Sequence, residues 1–159
     1  MDFKSKDLAL TIQDLNNELF NSYGLDNKVT HIHQLKDIKK LDDLFGPDFF
    51  RIIYIGNGFE MGHFCCIFHV DDKNVEFFDS YGILYPEIIE FCERLDIFCI
   101  YNNKKLQSDN SYLCGQYCLL KINSFPLKNK HLIDILTCNS KKTPDEIVYS
   151  LYKVKRLDE

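Results

Sequence analysis

The chain has 159 residues, 45% of them hydrophobic and 14% aromatic, which suits one domain spanning 1–159 with a sizeable core and is too little for two. Its formal net charge of −5 argues against a general nucleic-acid binder, because neutralising phosphates takes clustered Lys and Arg, and the short basic patches at 104–105, 141–142 and 153–156 read as solvated faces. No stretch approaches the ~20 apolar residues of a bilayer span, and the opening M-D-F-K-S-K-D has no apolar signal core, so the expected setting is inside a cell or particle, neither secreted nor in a membrane.

In chain order, Leu8, Ile12, Leu15 and Leu19 share one helical face and predict a helix over 7–20, stopped near Gly24. A short strand is expected over 29–32 and a short helix over 38–45, ended by Gly46-Pro47. The period then shortens. Strands are expected over 50–55, 63–70 and 75–79, with a G-N-G turn at 56–58 and a hairpin turn at 71–74. A helix over 86–95 and a strand over 97–101 follow, then a buried helix over 113–122 and another near 131–137. The T-P-D-E of 143–146 is a capping box with proline at the first helical position, so Thr143 is the N-cap of the last helix. This order predicts an α+β fold whose mixed, mostly antiparallel sheet is flanked by helices.

Seven scattered cysteines do not form a disulfide framework, and reduced thiols are expected. Cys114 differs from the rest because the polar run Q-S-D-N-S-Y-L delivers it to the start of a helix. A helix N-terminus favours negative charge and therefore the thiolate, the reactive form of the thiol. Gly115 behind it is expected to keep the approach to the sulfur open. A cysteine nucleophile needs a base, and the base an orienting partner. His63 stands at the start of one strand, after Gly62, and Asp79 at the end of the next. A three-residue turn at 71–73 pairs Val70 with Asn74 and leaves Asp79 two residues short of the position opposite His63, on the same face. Gln107 and the backbone N–H of Cys114 could then supply the two donors of an oxyanion hole. Singly, each residue has an ordinary reading: a buried small hydrophobe, a polar strand cap, a turn starter, a surface amide. The four together, in an order that suits a hairpin and then a helix, point to one site.

The stretch G-H-F, then E-F-F-D-S-Y-G, then Q-S-D-N-S-Y-L-C-G-Q-Y-C resembles the adenovirus-type (adenain-like) maturation cysteine peptidases, whose superfamily includes the SUMO-specific proteases. The D-S-Y-G form is similar to that of virophages and Maverick/Polinton elements. The resemblance covers about residues 51–122. It implies a papain-like, adenain-like architecture in which His63 is the general base, Asp79 orients it, Cys114 is the nucleophile and Gln107 serves the oxyanion hole. It also implies cleavage of capsid or core precursors during virion maturation, in the infected cell and inside the particle. Cleavage would follow small, Gly-rich residues that suit a narrow cleft, with Gly62, Phe64 and Gly115 as cleft residues. Phe64 stands where the family has Trp, and Asp79 where adenoviruses have Glu. The segment between Asp79 and Cys114 is shorter than theirs, as is the chain after Cys114. Protein substrates are the expected partners, a peptide activator stays open, and neither DNA nor a cofactor is expected.

Other readings use the same residues. A protease that removes ubiquitin-like modifiers would need the same four, and so would an acetyltransferase with this triad order. A non-catalytic zinc or binding domain could enlist His63, Cys65, Cys66, Cys114 and Cys118. However, Cys65 and Cys66 point to opposite faces of a strand and no C-x-x-C pair stands near a second, so no metal is expected.

Overall fold

The computed structural model describes residues 3–56, 62–138 and 141–153. Five strands form one sheet in the order of the sequence: β1 (Val29–His31), β2 (Phe50–Ile55), β3 (His63–Asp71), β4 (Asn74–Phe78) and β5 (Phe98–Tyr101). The central β2–β3 and β3–β4 ladders are antiparallel and carry most of the pairing, while β1 and β5 join parallel at the edges. Among the described residues six α-helices accompany them: α1 (Ile12–Tyr23), α2 (Leu41–Phe45), α3 (Pro86–Arg94), α4 (Cys114–Asn123), α5 (Asn129–Thr137) and α6 (Pro144–Leu151). The fold is α+β, a mixed sheet flanked by helices.

Strand alternation divides the core into two layers. Phe64, Cys66 and Phe68 of β3 pack with Leu15 and Leu19 of α1 and with Tyr117, Cys118 and Ile122 of α4. Cys65 and Ile67 pack on the other side with Phe45 of α2 and with Ile88, Phe91 and Cys92 of α3. The central strands are thus buried on both faces, which is why β3 reads as a nearly unbroken apolar run, while the edge strand β5 is largely exposed.

Two expectations are corrected. The first helix does not run over 7–20: a single turn of 3-10 helix covers Lys6–Leu8, and α1 starts at Ile12. Thr11 caps it, taking the Asp14 N–H on its hydroxyl while the Asp14 carboxylate takes the Thr11 N–H. Residues 9–11 are therefore extended. The expected helix over 38–45 is shortened to α2, after a 3-10 stretch at Ile32–Asp37. Of the expected 56–58 turn, residues 57 and 58 lie outside the described ones, as do 154–156 of the last basic patch.

The hairpin between β3 and β4 sets the site. Its turn is closed by Asp71 opposite Asn74, with Asp71 accepting from the Lys73 N–H and the Asn74 amide. That is one residue tighter than expected, but an irregularity between His69 and Asp71 offsets it. The ladder then runs with His69 opposite Val75 and Cys66 opposite Phe78, the pairing that the expected Val70–Asn74 register continues into. Asp79 accordingly has the parity of His63.

Candidate active site

Cys114 is the first residue of α4 and is half-buried. Leu113 before it offers no side-chain cap, so the first-turn N–H groups are not consumed by one. The helix lies across β3, and the Phe64 N–H points at the Cys114 sulfur at 3.5 Å. His63, one residue earlier, comes from the strand's rim. Its Nε2 is hydrogen-bonded to Asp79 Oδ1, and Cys114 stands close enough to the ring to act on its charge. The three expected triad residues therefore meet at one edge of the sheet.

Burial acts to discharge the imidazole, and this is the largest single influence on it. The hydrogen bonds to Asp79 and Cys114 and the charges of both together outweigh it, and His63 is pushed up to about 9. The direction of this shift favours the imidazolium near neutral pH. The Tyr81 ring lies against it, centroids 5.0 Å apart and tilted by 30°, and Tyr85 approaches from 6.3 Å. Burial first, then nearby negative charge, pushes the Tyr81 hydroxyl up to about 12.

Asp79 is fully buried and saturated with donors. Oδ2 accepts from the N–H groups of Tyr81 (3.2 Å) and Ile83 (3.0 Å), and Tyr85 Oη lies 3.4 Å from Oδ1. Gly82, with φ of 72°, makes this turn possible; a Cβ there would come within 2.8 Å of the Lys104 backbone. Asn102 holds the Asp79 backbone from the other side. Its Oδ1 accepts from the Asp79 N–H at 3.0 Å and its Nδ2 donates to the Asp79 carbonyl at 2.6 Å. Sequence reasoning missed Asn102, since an Asn after an edge strand carries no local signal. Asn102→Ala orphans the buried Asp79 N–H, at a cost of about 1–3 kcal/mol, and leaves the Asp79 carbonyl to the Gly82 N–H alone, 2.9 Å away. The variant is expected to lose stability in urea, and its His63 titration, followed by NMR, should fall below about 9.

Gln107 is buried behind the nucleophile. Its Nε2 donates to the Ser111 carbonyl at 2.7 Å, and the Ser80 hydroxyl donates to its Oε1 at 2.6 Å. A carbonyl can only accept, so this contact fixes which end of the amide faces which partner, and one N–H of the NH₂ group remains. The loop turns at Asn110, which adopts φ of 62°, a conformation Asn tolerates. Gln107, Asn110, Ser111 and Tyr112 line the same cleft as Cys114 and His63.

That cleft has a volume of about 830 Å³. One wall is the extended segment 9–11 with the first residues of α1, Ile12 and Gln13, and another is Tyr54, Ile55, Gly62 and Phe64. Gly62 is a cleft residue for steric reasons: a Cβ would sit 2.4 Å from the Ile55 carbonyl oxygen and from the Tyr54 ring. Gly115 is corrected. It does not line the cleft, and a Cβ there would meet the Leu10 side chain at 3.1 Å, so its smallness admits the N-terminal segment and not an incoming ligand. Gln116 pins that same segment, its Nε2 donating to the Leu8 carbonyl at 2.6 Å.

Other histidines and cysteines do not join the triad. His69 stacks on Phe45, centroids 5.0 Å apart, and Cys65 belongs to the opposite core layer from Cys66 and Cys118. Among the described residues, no three His, Cys, Asp or Glu side chains converge as metal ligands, and no helix is long and apolar enough to cross a membrane.

No protein-family model matches the chain. It is similar to the uncharacterized protein V9 of Sputnik virophage, 29% identical over 150 residues, with 78% of this chain and 86% of that protein covered. Among solved structures, the central domain of the uncharacterized Lpg1148 protein from Legionella pneumophila aligns with a TM-score of 0.41 and 16% identity, over 77% of this chain and 81% of that one.

Proposed function

We propose that the chain is a cysteine endopeptidase that cleaves capsid or core precursors during maturation of a virophage-like particle, after small, Gly-rich residues. The observation that carries this reading is one imidazole, His63, hydrogen-bonded to a buried carboxylate and lining one open cleft with a cysteine that opens a helix. The similarity to a virophage protein supports the viral setting. The D-S-Y-G and Q-S-D-N-S-Y-L-C-G motifs support the adenain-like reading.

In this mechanism the Cys114 sulfur, with its proton held on His63, attacks the scissile carbonyl. The oxyanion is met by the Cys114 N–H and the free Gln107 N–H. His63 then gives its proton to the leaving amine as the C–N bond breaks, leaving a thioester on Cys114. Water, deprotonated by His63, attacks the thioester and frees the acid. Asp79 holds the ring through its hydrogen bond to Nε2.

The test is incubation with capsid proteins of the same particle, with products read by mass spectrometry. Cys114→Ala is expected to abolish cleavage, and Gln107→Ala to slow it by roughly 10²–10³-fold. Full activity of Cys114→Ala would overturn the mechanism. Fast hydrolysis of ubiquitin- or SUMO-based fluorogenic substrates, with capsid proteins left intact, would replace it with the deconjugating reading.

A further inference from the structure

Asp145 is a buried acid that the mechanism does not use. It stands in the first turn of α6, only 3% exposed, and its carboxylate does not turn back onto its own helix. Instead Oδ1 accepts from Tyr117 Oη at 2.6 Å. Oδ2 accepts from the Ser108 hydroxyl at 2.6 Å and from the Ser108 N–H at 3.3 Å. Ser108 directly follows Gln107. Tyr117 lies on α4, three residues after Cys114 and fully buried. One carboxylate thus ties the loop that presents the Gln107 amide to the helix that presents the Cys114 N–H.

Resting on the peptidase reading, we infer that Asp145 is a positioning residue for the oxyanion hole, fixing the spacing between its two donors from a third element. Gln107 is held on its other side by Ser80, whose carbonyl accepts from the Gln107 N–H at 2.9 Å and whose hydroxyl meets its side chain. The strut to Asp145 is what relates this assembly to α4. Burial, and then the Asp145 charge, push the Tyr117 hydroxyl well up, so it remains a donor to the carboxylate. Thr143 caps α6 with its own hydroxyl and Glu146 completes the box, so Asp145 is not needed to start the helix.

The inference separates two reactions of one sulfur. Alkylation by iodoacetamide displaces iodide at carbon and builds no oxyanion. Acylation by p-nitrophenyl acetate forms the bond from sulfur to acyl carbon through an oxyanion, then breaks the C–O bond and releases p-nitrophenolate. Asp145→Asn and Ser108→Ala are each expected to slow the p-nitrophenolate burst roughly tenfold, to leave Cys114 alkylation within about twofold of the wild-type rate, and to have no further effect on the burst in a Gln107→Ala background. Cys114→Ala supplies the blank. Ser108→Ala removes one strut from a surface loop and decides the matter if Asp145→Asn does not fold. An unchanged burst in Ser108→Ala, or bursts and alkylation falling in parallel, would overturn the inference. If wild-type Cys114 is alkylated no faster than the exposed Cys138, the peptidase reading itself falls.

Discussion

His63→Ala is expected to cost Cys114 its selective reaction with iodoacetamide and to slow any turnover by roughly 10²–10⁴-fold, the usual weight of a general base. The chain supplies its own control. Cys138 is the exposed thiol, while Cys65, Cys66, Cys92 and Cys118 are buried and Cys114 is only half-exposed. Ranking by exposure alone would label Cys138 first. With limiting reagent near neutral pH, the wild-type protein should instead be labelled first at Cys114. An unassisted thiol is only a few per cent thiolate at pH ~7, so removing the imidazolium should slow labelling of Cys114 roughly tenfold or more and return first place to Cys138. Mass spectrometry of the labelled peptides reads both. Labelling of Cys114 that ignores His63 would leave the geometry without chemical consequence.

The pH dependence follows from the same pair. His63 is raised from its ordinary value of 6.5 to about 9, so the folded protein binds that proton more tightly than the unfolded chain. The stabilisation is complete below the unfolded value and is lost as pH rises through about 9. The advantage of Cys114 over Cys138 should therefore be level from near neutrality up to about pH 8 and collapse above about pH 9, where His63 discharges and ordinary thiols ionise unaided. Asp79→Asn keeps a hydrogen-bond partner but removes a charge, and should move that collapse to lower pH. An alkaline limb that stays in place would show that Asp79 only orients the ring.

Much of this site could be read from the sequence because its geometry is local. His63 and Asp79 belong to one hairpin, and a hairpin's register follows from turn length and alternation. The turn was one residue tighter than expected, yet the irregularity beside it restored the parity on which the argument depended. Gln107 and Cys114 are separated by a short polar loop that has little choice but to fold back. What could not be read joins distant segments. Asn102 meets Asp79 across 23 residues, Asp145 meets Ser108 across 37, and Gln116 meets Leu8 across 108. No periodicity records such pairs. The capping box at Thr143 fixed where α6 begins and said nothing of where the Asp145 carboxylate goes. Gly115 was misread for a related reason: its smallness was matched to a ligand because the sequence could not show Leu10 already there. The late start of α1 was legible and overlooked, since T-I-Q-D at 11–14 is a capping box with Asp in place of Glu.

Glu76→Ala is expected to destabilise the fold by about 3–5 kcal/mol in urea unfolding, a large share of the roughly 5–15 kcal/mol that a domain of this kind possesses. Glu76 on β4 and Lys121 on α4 form an ion pair 2.5 Å apart, with side chains 1% and 0% exposed. Burial presses Lys121 toward its neutral form and the Glu76 charge pulls it back, so removing Glu76 leaves an ammonium that must discharge or drag in water. The pair is also a junction. Lys121 Nζ donates to the Leu127 carbonyl at 2.6 Å and lies 5.3 Å from the centre of the Phe68 ring, and Glu76 Oε2 accepts from the Asn129 N–H at 3.1 Å, where α5 begins. Replacing both with apolar residues, as Glu76→Leu with Lys121→Met, removes the stranded charge but orphans the Leu127 carbonyl and the Asn129 N–H. The double variant should therefore recover part of the loss and not all of it, since each buried orphan costs about 1–3 kcal/mol. Full recovery would mean that water or a small shift of α5 satisfies those groups. The functional consequence is specific. Lys121 sits seven residues after Cys114 on one helix, and Glu76 on β4 three residues before Asp79, which directly follows that strand, so this pair sets how the nucleophile's helix lies along the strand that leads to the acid. In the double variant, the advantage of Cys114 over Cys138 in alkylation should fall even where the protein is fully folded, because the partners of His63 are then no longer held at a fixed spacing.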